Sequence, residues 1–60
     1  MERVIEFVLA HGWPDDAVAE LERLLENRNM AAALTLIRAQ DMPDPERQNL
    51  MAMVTLAIVS

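Results

Sequence analysis

One apolar stretch decides what kind of protein this sequence can form. Residues 50–59 read LMAMVTLAIV, and Thr55 is the only one of them that is not apolar. At about 100° per residue, a helix over this stretch carries apolar side chains on every side. A helix of that kind is buried all round. We therefore expect this helix to lie at the centre of a bundle or against another chain.

Turn signals divide the preceding residues into three further helical segments. Helix-forming residues dominate, and no stretch shows the clean alternation of a strand. The break at 27–29 holds two asparagines, which tolerate left-handed backbone. The four predicted helices cover about residues 2–10, 14–26, 30–40 and 45–59.

Capping residues mark the ends of these segments. Gly12 suits the left-handed position that ends a helix, and Pro14 suits the first helical position of the next one. Asn29 is predicted to cap the third helix. Asp44 is predicted to cap the fourth, with Pro45 as its first helical residue. The sequence thus predicts one all-α domain over residues 1–60, a compact bundle of three to four short helices with the C-terminal helix central or at an oligomer interface.

The small size of the chain favours association with a partner. Domains this short usually need disulfides, a metal or another chain for stability. There is no cysteine and only one histidine, so another chain is the remaining choice. We expect a homo-oligomer, with a dimer favoured, although a different protein is possible as partner. The predicted interface residues are Leu50, Met51, Met53, Val54, Ala57, Ile58, Trp13 and Arg38.

Three of these assignments have alternatives. Trp13 suits either a lid on a small core or an anchor in a partner. Arg38 is either a surface arginine with an extended stem or an interface arginine paired with Asp41 or Asp44 of another chain. The methionines of the last helix favour an oligomer seam over an adaptable peptide groove.

The charge balance is acidic. Ten acidic and five basic residues give a net charge of −5, which argues against nucleic acid as a partner. The second segment carries much of the acid, which is either a solvated face or a docking surface for a basic partner. This acidic face consists of Asp15, Asp16, Glu20, Glu22 and Glu26.

No catalytic or cofactor-binding pattern is present in the sequence. His11 is the only histidine, Ser60 the only serine and Gly12 the only glycine. These counts provide no metal set, no activated nucleophile and no phosphate loop. We expect neither enzyme activity nor a cofactor.

The predicted function follows largely by exclusion. We expect a non-enzymatic protein–protein interaction module, acting as an adaptor, regulator or inhibitor, that self-associates through its apolar C-terminal helix. The alternatives are a dimeric helix-turn-helix-like transcriptional regulator and an accessory subunit or chaperone of a larger assembly. No targeting segment or membrane span is evident, so we expect a cytoplasmic protein.

Overall fold

The computed structural model describes residues 2–59, and within this range it contains helices and turns but no strand. The prediction of an all-α bundle is therefore confirmed. The four helices are α1 (Glu2–Ala10), α2 (Asp15–Glu26), α3 (Met30–Ala39) and α4 (Asp44–Val59). None of them is both long and apolar enough to cross a membrane, as judged over residues 2–59.

The turn between α1 and α2 forms as the sequence predicts. Gly12 has a φ of +76°. Its N–H donates to the Leu9 carbonyl oxygen, and the Trp13 N–H donates to the Val8 carbonyl oxygen, each at 3.1 Å. These two bonds define a Schellman motif, in which the residue after the glycine packs back on the helix. Trp13 is only 7% exposed and joins the core.

The turn between α2 and α3 uses the same hydrogen bonds with a different residue. The Asn29 N–H donates to the Leu24 carbonyl oxygen at 2.9 Å, and the Arg28 N–H donates to that of Leu25 at 3.1 Å. Arg28, not an asparagine, therefore takes the left-handed position, with a φ of +54°. The predicted cap is confirmed, because Asn29 Oδ1 accepts from the Ala32 N–H at 3.3 Å.

Two predicted helix starts are wrong by one residue. Pro14 is the N-cap of α2, with a ψ of 149°, and its carbonyl oxygen accepts from the Val18 N–H. Asp44 is helical already, and the Pro43 carbonyl oxygen accepts from the Arg47 N–H. The fixed φ of proline suits a cap and a first helical residue equally, so sequence does not separate these registers.

Arg47 ties the connection between α3 and α4 together. Its Nη2 donates to the carbonyl oxygens of Gln40 and Met42, at 3.1 and 3.0 Å. Its Nη1 lies 3.1 Å from Asp44 Oδ1. Gln40, predicted as the last residue of the third helix, is its C-cap with extended backbone. The last carbonyl oxygens of an α-helix have no partner within the helix. Arg47 supplies a donor to that of the C-cap residue Gln40 and so stabilises the loop.

The core is apolar throughout the described residues. Helix α4 packs against α1, α2 and α3, whereas the backbones of α1 and α3 do not come close to each other. The accessible surface is 3901 Å², close to the ~3,950 Å² expected for a compact monomer of this mass. The buried residues are Val4, Val8, Trp13, Leu21, Leu24, Leu25, Ala33, Ile37, Met42, Leu50 and Val54.

Candidate interaction surfaces

One side of α4 remains in water. Leu56 is 67% exposed and Val59 is 66% exposed, and Ala52 is exposed as well. Spacings of four and three residues place all three side chains on one side of the helix. We call these residues the α4 outer face. Because the other three helices of the chain cover only the opposite side of α4, a single chain leaves this apolar face exposed.

The predicted interface residues of α4 lie mostly inward. Leu50 and Val54 have no exposed surface, and their side chains fill the core of a single chain. Trp13 belongs to the same core, which agrees with its interpretation as a lid. Leu50 and Val54 thus take core positions within one chain, as Trp13 does under the lid alternative. The half-buried residues are Met51, Met53, Ala57 and Ile58, and their contact with a second chain stays a prediction.

The predicted interface residues do not include the exposed pair Leu56 and Val59. In sequence they are as apolar as Leu50 and Val54, and no local signal separates the two pairs. The wide apolar arc of the helix indicated only that some apolar residues would lie outside the core.

Arg38 lies on the exposed side of α3. Thr35 occupies the same side, and its hydroxyl donates to the Ala31 carbonyl oxygen at 2.9 Å. The exposed side of α3 therefore holds a single charged residue. Pairing of Arg38 with another chain stays a prediction. Within the chain, Asp44 is already paired with Arg47.

The residues of the predicted acidic face have different environments, and their role as a docking surface stays a prediction. Glu20 is half-buried and forms an ion pair with Arg23, which offsets its charge. Asp15, Asp16 and Glu26 are exposed. Asp16 Oδ1 accepts from the Ala17 N–H at 2.9 Å, which serves the start of α2.

Glu22 has a different environment, because it faces a neighbouring helix. Together with Glu2, Ile5 and Glu6 of α1 it lines a groove of about 400 Å³. We call this feature the α1–α2 groove. Glu2 and Glu6 belong to no predicted site, because no local signal in the sequence places them beside Glu22.

His11 has a structural role at the end of α1. Its Nδ1–H donates to the Phe7 carbonyl oxygen at 2.9 Å. The imidazole stacks on the Phe7 ring with 4.2 Å between centroids. Over residues 2–59, no group of three or more acidic, histidine or cysteine side chains could hold a metal ion. These contacts assign His11 to helix capping.

Comparisons of the chain with protein-family models, with curated proteins and with solved structures found no match. The fold and the two surfaces therefore define only the class of the protein. It is a small all-α protein that presents an apolar helix face and an acidic groove.

Proposed function

We propose that this protein is a non-enzymatic protein–protein interaction module, an adaptor, regulator or inhibitor, that associates with a second copy through α4. The α4 outer face carries the proposal. Leu56 and Val59 are two of the three large apolar side chains exposed over residues 2–59. Covering such surface gains about 25 cal/mol for each Å² removed from water.

A second copy is the simplest cover for this face. Two copies of one helix side form a self-complementary contact, the type found in most symmetric dimers. The half-buried residues Met51, Met53, Ala57 and Ile58 flank the buried side of the same helix and can widen the contact. A stable dimer buries roughly 800 Å² per partner, more than two side chains provide. We therefore expect a dissociation constant of about 1–100 µM.

The experiment is a measurement of molar mass by light scattering over a hundredfold range of concentration. We expect a mass that rises from monomer towards dimer. Leu56→Gln should shift this transition to at least about tenfold higher concentration, because it places an amide in the apolar contact.

Leu9→Gln is the matched control, since Leu9 is 54% exposed on α1 and the exchange is chemically the same. It should leave the transition where it is. Self-association through α4 is excluded by a monomer at every concentration up to ~1 mM, or by equal shifts in the two variants.

A further inference from the structure

The α1–α2 groove combines charge and apolar surface from two helices. Glu2 and Glu6 come from α1 and Glu22 comes from α2, with Ile5 lining the same groove. From this juxtaposition we infer that the α1–α2 groove binds a basic amphipathic helix of a partner protein. The inference does not depend on association through α4.

The charge of the groove selects a cationic partner. Glu2, Glu6 and Glu22 are exposed, and none of the described residues that line the groove is basic. The ion pairs among residues 2–59 are Glu20–Arg23 and Asp44–Arg47, so neither neutralises a groove carboxylate. The net charge of −5 adds to the same field. This field attracts Lys or Arg side chains and repels phosphate-bearing surfaces such as nucleic acid.

The apolar part of the groove favours a partner that carries apolar side chains as well as positive charge. Ile5 is half-buried, and Leu9, on the same side of α1, is 54% exposed. Four residues separate them, which is about 6 Å along the helix axis. An inorganic cation would leave this surface in water. A helix with Lys or Arg beside an apolar stripe covers Ile5 and Leu9 while its cations reach the glutamates.

The length of the groove sets the size of the contact. Glu2 and Leu9 are separated by about 10 Å along α1. A partner helix lying between α1 and α2 therefore meets the groove over about two turns, through residues spaced three, four and seven apart. Such a contact resembles the addition of one more helix to the bundle.

The test uses a fluorescent helical peptide of roughly 18 residues, built from Leu, Ala and Arg, with arginines at both edges of the leucine stripe. Anisotropy should give a dissociation constant of about 100 µM at low salt, and binding should weaken as salt is added. A peptide with Glu in place of each Arg should not bind. Equal binding of both peptides, or no binding of the Arg peptide at ~1 mM, would overturn the inference.

Two charge-matched variants separate the groove from the overall charge. Each removes three carboxylates and changes the net charge from −5 to −2. The groove variant combines Glu2→Gln, Glu6→Gln and Glu22→Gln. The control variant combines Asp16→Asn, Asp41→Asn and Asp44→Asn, which are exposed positions that do not line the groove.

The groove variant should bind the Arg peptide at least about tenfold more weakly, and the control variant within about twofold of the original chain. Equal losses would show that only overall charge matters and would refute a site in the groove. Leu9→Gln should also weaken binding, whereas Leu56→Gln should not. Leu56 belongs to the α4 outer face and not to the groove. Comparing Leu9→Gln with Leu56→Gln therefore tests peptide binding in the groove separately from self-association through α4.

Discussion

Helices α2 and α4 bury one side each, but only α2 shows in its sequence which side that is. In α2, Leu21, Leu24 and Leu25 are buried, and acidic residues such as Asp16 and Glu26 stay outside. In α4, apolar residues occupy both the buried and the exposed side over residues 50–59. The comparison teaches that a strongly apolar helix leaves its orientation to the helices around it, and that its surplus apolar side is available for contacts.

The largest expected effect comes from placing the same charge on the two sides of α4. Val54 has no exposed surface and Leu56 is 67% exposed. Val54→Asp should cost several kcal/mol and leave the chain largely unfolded, because its carboxylate would be buried without a partner. Leu56→Asp should stay folded. Circular dichroism and urea unfolding measure the helical content and stability of both variants. An equal loss of stability would show that the two sides of α4 do not differ in burial.

Truncating one leucine in each helix compares how much a buried side chain of α2 and an exposed side chain of α4 contribute to stability. Leu21 of α2 has no exposed surface, so Leu21→Ala should lower the free energy of unfolding by about 2–5 kcal/mol. Leu56→Ala removes the same atoms from the α4 outer face and should change it by less than about 0.5 kcal/mol. Urea denaturation at low protein concentration, where dimer is absent, gives both values. A cost above ~2 kcal/mol for Leu56→Ala would place this residue inside the core.

The smallest expected change in stability concerns the turn that ends α2. Arg28 holds left-handed backbone with a φ of +54°, which costs a side-chain-bearing residue about 1 kcal/mol or more. Arg28→Gly should therefore raise the free energy of unfolding by roughly 1 kcal/mol. Arg23→Gly, within the same helix, is the opposite control and should lower it by about 1 kcal/mol. A loss for Arg28→Gly would show that its side chain contributes more than its backbone costs.

Local chemistry made much of the fold predictable. Gly12 and Asn29 appear in their predicted capping roles, because each role depends on backbone within a few residues. The one-residue errors at Pro14 and Asp44 arise because the fixed φ of proline suits a cap and a first helical residue equally. Arg47 was not singled out, since its bonds to Gln40 and Met42 form only when α3 and α4 fold back on each other.

The sequence by itself determined the helices, their turns and the apolar surplus of residues 50–59, because these depend on composition and on spacing along one helix. Only the tertiary structure decided that Leu50 and Val54 face inward while Leu56 and Val59 face water. It likewise brought Glu22 of α2 beside Glu2 and Glu6 of α1. The physical reason is that the burial of a side chain and the charge around it depend on which helices pack against each other. This packing minimises the exposed apolar area of the whole chain and not of one segment.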